Sequence, residues 1–253
     1  MPFSHPRALR GDVVGRVQLG DTPVQVARAL GLSPTTVYAW LHELAPGLVR
    51  VQRVCFRCSA QPPPDPLAYS QLLGYYLGDG CVSRGPRAWV LRITCDDAWP
   101  GVADEVALVM GRVVANSVHR AGKQGCHDVQ AYSQHWPCLF PQHGAGAKHL
   151  RRIELAPWQH EVVVAHPGPF LKGLFHSDGW RGQNVAVRTV ADRVERRYYP
   201  RYDFTNKSDD VRGLCGDALD RLGIAWRPNG PWRISVARRD AVAALDVHVG
   251  PKH

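Results

Sequence analysis

The chain has 253 residues, enough for one large or two to three small domains with a well-filled core. It is 45% apolar and 21% charged, a globular composition, and no apolar run is long enough to cross a bilayer. A net charge of +9 and a pI near 9.4 point to an anionic partner, most simply nucleic acid.

Two further compositional facts bear on setting. The start, Met1-Pro2-Phe3-Ser4-His5, lacks the charged-then-apolar build of a secretory signal. Seven cysteines, an odd number without disulfide-framework spacing, suit a reducing cytoplasm, with the protein on the bacterial nucleoid when bound to DNA. The 31 basic residues are 26 Arg and 5 Lys. Arg favours bidentate contacts with phosphate and guanine, although a GC-rich genome gives the same excess.

Residues 1–46 read as a small helical unit. Leu9, Val13, Val14 and Val17 form an apolar stripe on a first helix. A second runs from Pro23 to Leu30, and the turn Gly31-Leu32-Ser33 leads into a third from Pro34 to Leu41. Ser33 is placed to cap that helix, with Pro34 at its first position. Helix, glycine turn, helix, with small Ala27 at the crossing, is the build of a helix-turn-helix. The segment resembles the helix-turn-helix domains of transposases and site-specific recombinases. The resemblance implies that Thr35, Thr36, Tyr38 and Ala39 face a DNA major groove.

Residues 47–64 read as a linker, Arg-rich and then extended at Gln61-Pro62-Pro63-Pro64. Within it, Cys55 and Cys58 are spaced as half a zinc site, to which His42 or His5 could add a ligand. Two reduced cysteines beside a hinge is the simpler reading.

From Asp65 the pattern duplicates, with a first repeat over 65–160 and a second over 161–253. The first begins with a helix capped by Asp65 and running to Asp79. A strand pair follows, with Gly85-Pro86 as its turn and Trp89, Leu91 and Ile93 alternating with Val90, Arg92 and Thr94. Asp96-Asp97 introduces a helix to about Val113, a second strand pair spans Ser117–Tyr132, and a short helix carries Trp136, Leu139 and Phe140. The second repeat opens at Pro167 or Pro169, with a helix to Asp178. Strands around Val185–Thr189 and Arg201–Thr205 follow. Ser208 caps a helix through Leu222, Pro228–Pro231 turns between two strands ending at Val236, and a helix covers Arg239–Leu245. The expected architecture is α+β, two αββαββα units behind an all-α domain.

The chemistry concentrates in two matched nonamers, Leu72–Gly80 and Leu171–Gly179, whose aspartates lie 99 residues apart. Each is an apolar helix with small residues four apart, Gly74/Gly78 and Gly173/Ser177, and an acid at its carboxyl end. An acid there costs about 0.3–1 kcal/mol against the helix dipole, so meeting it twice signals a required carboxylate pair. Gly80 and Gly179 are expected to end the helices in a left-handed conformation. Small residues at this spacing let two helix backbones approach closely, which would bring Asp79 and Asp178 together. Paired carboxylates repel unless protonated or neutralised by a cation, and Mg²⁺ suits such a site.

The strands alternate an apolar face with a polar one carrying Arg92, Thr94, Arg201, Asp203, Thr205, Arg233 and Ser235. Arg84, Arg87, Arg120, Lys123, Gln124 and Arg181 lie toward hairpin tips, and Gln183 and Arg188 extend the second repeat's contribution. A curved sheet with such a face can read base edges in a major groove. Cys81, Cys95, Cys126, Cys138 and Cys215 read as small core residues; Trp136 and Trp158 also read as core.

The nonamers resemble the signature of the LAGLIDADG homing endonuclease family in its single-chain, two-motif form. The likeness covers about residues 65–250 and is most specific over Phe170–Gly179. Gly144–Ile153 and Tyr202–Ser208 are also familiar from that family. It implies two repeats joined through their motif helices, a saddle-shaped sheet surface over double-stranded DNA, a monomer with an internal pseudo-two-fold, and cleavage of both strands. It implies Asp79 and Asp178 as ligands for Mg²⁺, with Mn²⁺ a substitute, helped by the carbonyls of Gly78 and Ser177. It also implies a lysine and a glutamine near the metals, with Lys123, Gln124, Lys148, Lys207 and Gln183 available and Lys123 and Lys207 favoured. The same fold serves transcription regulators that bind DNA without cutting, some with a helix-turn-helix, and intron maturases that act on RNA.

Overall fold

The computed structural model describes residues 6–21, 23–45, 55–58, 61–114, 116–190 and 193–253. Contacts divide the chain into two units, Met1–Cys55 and Phe56–His253. Most of the expected linker, and His5, lie outside the described residues, as does the side chain of His42.

The first unit holds helices α1 (Arg7–Gln18), α2 (Pro23–Ala29) and α3 (Pro34–Leu44). Val13, Val26, Ala27, Val37, Trp40 and Leu41 close a small core, with Leu9, Val14 and Val17 packed against it. Gly31 between α2 and α3 has φ +63°, a conformation that costs glycine nothing. Ser33 Oγ accepts the Thr36 N–H at 3.1 Å, so the expected cap is made.

The second unit is α+β and runs α4 (Pro66–Leu77), β1 (Gly80–Arg84), β2 (Trp89–Asp96), α5 (Pro100–Val113), β3 (Val118–Lys123), β4 (Cys126–Ser133) and α6 (Trp136–Leu139). After α7 (Pro157–Ala165), the series recurs as α8 (Pro167–Asp178), β5 (Gly179–Val190), β6 (Arg193–Thr205), α9 (Asp209–Arg221), β7 (Arg227–Pro228), β8 (Arg233–Val236) and α10 (Arg239–Val249). The two antiparallel sheets have the same strand order, β1-β2-β4-β3 and β5-β6-β8-β7. Leu91, Ile93, Val129 and Ala131 of one sheet, and Tyr202, Phe204, Ile234 and Val236 of the other, turn inward and are fully buried.

Helices α4 and α8 pack on each other at the centre. Every residue of α4 from Ala68 to Leu77 is buried, the pattern of a helix covered all round. Their crossing is backbone on backbone. A methyl at Gly74 would lie 2.9 Å from Leu174 N and 3.0 Å from Gly173 Cα, and closer still to the Phe170 carbonyl oxygen. One at Gly173 would meet Tyr75 N at 2.7 Å and Gly74 Cα at 2.9 Å. No real Cβ tolerates such distances.

Three expectations are corrected. Neither Gly80 nor Gly179 is left-handed; Gly179, at φ −95° and ψ 156°, is extended backbone starting β5. A methyl there would lie 2.7 Å from the Phe175 Cα, and one at Gly80 would lie 2.7 Å from the Tyr76 carbonyl oxygen. Close approach, not backbone sign, is therefore what excludes a side chain. Helix α5 opens at Pro100 with no side-chain cap, and Asp96 instead ends β2. The β5–β6 hairpin is far longer than expected, pairing from Gly179↔Phe204 out to Val190↔Arg193. Its outer part has exposed side chains on both faces, so burial leaves no alternation to read there.

Candidate active site

The two nonamers deliver their acids to one place. A methyl on Gly78 would lie 3.4 Å from the Asp178 carboxylate oxygen and 2.8 Å from Ser177 Oγ. Asp79 is solvent-exposed and Asp178 half-buried. Although part of Asp79 reaches solvent, desolvation by the protein around its carboxyl raises it to about 6, with the Asp178 charge next in importance; Lys148 and Lys252 oppose the shift. Asp178 is also raised by burial, but Asn206 Nδ2 donates to its Oδ2 at 2.6 Å and favours the charged form.

Two lysines complete the centre. Lys148 Nζ donates to the carbonyl oxygens of Leu77 at 2.9 Å and Gly78 at 2.6 Å, and to that of Tyr76. Lys252 Nζ donates to those of Ser177 at 3.2 Å and Gly179 at 2.8 Å. Each ammonium thus covers the negative end of one motif helix, where a cation is favoured. Burial pulls the Lys148 ammonium down to about 8 and lowers Lys252 as well, while Asp79 and Asp178 push both back up. The two ammonium groups offset the charge of the two carboxylates and so weaken the field that would repel an approaching phosphate.

A cavity of about 120 Å³ opens beside Asp79 and is lined also by Thr94, Asp96, His176, Ser177 and Lys252. Behind it, Glu105 of α5 binds across to α8. It pairs with Lys172, lies 3.3 Å from His176 Nδ1 and accepts from Tyr75 Oη at 3.0 Å. Burial alone would raise Glu105, but hydrogen bonds from His176, Lys172 and Gln71 outweigh it and hold the carboxyl well below the usual carboxylate range.

The donors around the acids are all oxygen: two carboxylates and the carbonyls of Gly78 and Ser177. That set fits a hard divalent cation such as Mg²⁺ or Mn²⁺. The lysine contacts are compatible with it, because a carbonyl oxygen has a second lone pair.

The other expected site residues scatter. Lys123 pairs with buried Asp128 at 2.8 Å, which accepts from Thr94 Oγ1 at 2.9 Å, so it stands two links from the cavity. Lys207 lies 5.6 Å from the Trp232 ring centre. Arg92 donates to Ser83 Oγ at 2.7 Å on the polar face of the first sheet. On the second, Arg201 and Arg233 flank Asp203 at 4.0 and 3.8 Å. Arg188 stands opposite Glu195 on the long hairpin. Arg84 stacks over Trp89 at 5.5 Å, and Arg87, Gln124 and Gln183 are exposed.

Two arginines belong elsewhere. Arg120 shares the helix-covered face with its strand partner Val129 and pairs with Asp104 of α5. Arg181 shares a face with Tyr202 and makes a bidentate bond to Asp246 of α10, at 3.1 and 2.9 Å. Both face the helices because side chains alternate strictly along a strand. In the first unit, Thr35 and Tyr38 are exposed, while the Thr36 hydroxyl bonds Ser33 Oγ at 2.8 Å.

Sequence reasoning missed Lys252, Asn206 and Asp96. A signal for the lysines existed. Gly146-Ala147-Lys148 and Gly250-Pro251-Lys252 share a Gly-x-Lys pattern, and both glycines are left-handed, at φ +79° and +70°. Five lysines among 31 basic residues is itself a clue, since a compact point charge suits a carbonyl cradle and a guanidinium does not.

Residues 4–50 match the family model of a homeodomain-like domain. No curated protein matches the chain in sequence. Among solved structures, a mesophilic variant of the homing endonuclease I-DmoI aligns at a TM-score of 0.49 and 15% identity, over 74% of this chain and 97% of that one. The homing endonuclease I-WcaI, bound to its DNA recognition sequence, aligns at 0.47 and 10% identity, over 80% and 89%. The N-terminal LAGLIDADG domain of DUF199/WhiA aligns at 0.43 and 14% identity, over 74% and 83%.

Proposed function

We propose that the protein is a site-specific, divalent-metal-dependent endonuclease acting on double-stranded DNA. The observation that carries this reading is the glycine-lined crossing of α4 and α8, which puts Asp79 and Asp178 into one shared field with two lysines. A helix pair that only needed packing would not end in two acids and then set a half-buried lysine against each helix end.

In this reading Asp79 and Asp178 hold Mg²⁺ or Mn²⁺, with the carbonyls of Gly78 and Ser177 contributing. A cation held there would supply water activation and stabilisation of the leaving oxygen of a phosphodiester. Asn206 fixes the orientation of Asp178 by its 2.6 Å bond. Lys148 and Lys252 offset the carboxylate charge, so that a phosphate can approach. Arg92, Arg233 and Arg188 present cations and donors to a duplex, while α3 of the first unit offers Thr35 and Tyr38 to a groove. The net charge of +9 supports duplex affinity that falls with salt.

One observation favours a second reading, a DNA-binding regulator that does not cut. Ammonium groups already occupy the carbonyls of Gly78 and Ser177, so each lysine can serve as a permanent substitute for a metal. Incubation with plasmid libraries in Mg²⁺ or Mn²⁺ separates the two. Cleavage at a defined site, lost in Asp79→Asn and Asp178→Asn, is expected. Retained specific binding with no cleavage by the parent protein would establish the regulator instead.

A further inference from the structure

We propose that Cys55, Cys58, His135 and Cys138 bind one structural Zn²⁺, at a centre separate from the paired aspartates. Their ligand atoms all lie within 4.8 Å of one another. The spacing is Cys-x₂-Cys followed much later by His-x₂-Cys, two short knuckles brought together by the fold. Cys58, His135 and Cys138 belong to the second unit, and Cys55 stands three residues before Cys58 on the same turn.

The distances match a metal polyhedron. With bonds of about 2.3 Å to sulfur and about 2.0–2.1 Å to nitrogen, a tetrahedral zinc has S···S edges of about 3.8 Å and S···N edges of about 3.6 Å. Cys58 Sγ lies 3.8 Å from Cys138 Sγ and 3.6 Å from His135 Nδ1. A disulfide would require about 2.05 Å. Three thiol groups and an imidazole form a soft set with no carboxylate, which selects zinc over the hard cations suited to Asp79 and Asp178. Four protein ligands close the shell, leaving no position for substrate, so the role is structural.

The surroundings hold both knuckles in place. Phe56 is buried edge-on against Tyr69 and Trp158, at 6.0 and 5.7 Å, and Arg57 stacks on Trp158 at 4.6 Å. Across from it, fully buried Trp136 donates from Nε1 to the Ala131 carbonyl oxygen at 2.8 Å, fixing the start of α6. The His135 N–H donates to Ser133 Oγ at 3.1 Å. A metal here would tie the Phe56 turn to the end of β4 across 77 residues, a loop closure worth most when the loop is long. Cys138, expected in the core, is half-buried and faces Cys58 instead.

The test uses the full chain, purified under reducing conditions and analysed for metal by mass spectrometry. One equivalent of zinc is expected, unchanged in Asp79→Asn/Asp178→Asn and absent from Cys58→Ser/Cys138→Ser. Stripped wild-type protein titrated with Co²⁺ should give the visible bands of a tetrahedral thiolate complex, saturating at one equivalent. That measurement needs no variant and holds even if the double serine variant misfolds. A folded wild-type chain with neither zinc nor the cobalt spectrum overturns the proposal. So does a Cys58–Cys138 or Cys55–Cys58 disulfide trapped by alkylation before reduction.

Discussion

The two repeats share an architecture and differ in how they treat their acid. In the second, Asp178 is half-buried and bonded by Asn206, which follows β6 directly, with Lys207 next. In the first, the end of β2 carries Asp96 and Asp97 instead, and Asp79 is exposed at a cavity that Asp96 also lines. Their cations differ too: Lys148 bridges three carbonyls, Lys252 two. Duplication has thus kept the helices and glycines that set the backbone crossing, while the groups touching each carboxylate diverged. The two acids are chemically distinct, one orientated by an amide and one open to solvent.

If the acids act as a metal pair, the largest effect comes from removing either. Asp79→Asn or Asp178→Asn should lower single-turnover cleavage by at least about 10³-fold, since several kcal/mol of transition-state charge stabilisation go with a bound metal. The comparison sharpens in Mn²⁺ dependence. Asn206→Ala should weaken metal-dependent cleavage through Asp178 alone, whereas an equal effect on both strands of a nicked substrate would show that the acids are not divided between them.

The helix crossing comes next in size. Gly74→Ala forces a methyl into backbone on the facing helix, with no flexible side chain able to yield, and should cost about 3 kcal/mol, read as a lowered denaturant midpoint. Gly122→Ala, where nothing lies within 4 Å, is the control and should change stability little.

How far the sequence disclosed this follows from where the information lies. The motif helices were legible because their constraint is local: small residues four apart and an acid at the end imply both the crossing and the acid pair. The sheet cores were legible through alternation, as at Leu91 and Ile93. Lys252 was not, because it is brought to the centre by a tertiary return from the end of α10, and no local period announces that. Arg120 and Arg181 were misplaced because a basic residue near a hairpin looks the same on either face, and only register decides. Helix α7 went unread because its valines fall in one consecutive run, Val162–Val164, which marks no helical period.

Glu105 breaks the symmetry in another way, tying α5 of the first repeat to α8 of the second. Its carboxyl is held well below its ordinary value of 4.5 by His176 and Lys172 against the opposing effect of burial. A depressed acid contributes stability that is present above the unfolded value and lost as pH falls toward the folded one. Glu105→Gln should therefore cost about 2 kcal/mol near neutral pH, the worth of hydrogen bonds to a charged group. The gap between variant and parent should close progressively below about pH 4.5, as the unfolded chain takes up its proton. Equal gaps in melting temperature at pH 7 and pH 3 would contradict the network.

The smallest effect separates the two lysines. Lys148→Met and Lys252→Met each strip an ammonium from a helix end and leave carbonyl oxygens without their donor. Both variants lose the counter-charge to Asp79 and Asp178, so that part of the cost is shared and cancels in the comparison. What remains is one hydrogen bond, three on the Lys148 side against two on the Lys252 side, whose longer contact is 3.2 Å. A charge-assisted bond contributes about 1.5–3 kcal/mol at best, and less where geometry is loose, so Lys148→Met should be the less stable variant by about 1 kcal/mol. Paired urea titrations read this difference directly. A larger loss in Lys252→Met would mean that the second helix end depends on its lysine more than the hydrogen-bond count allows, and the electrostatic roles assigned to the two repeats would have to be exchanged.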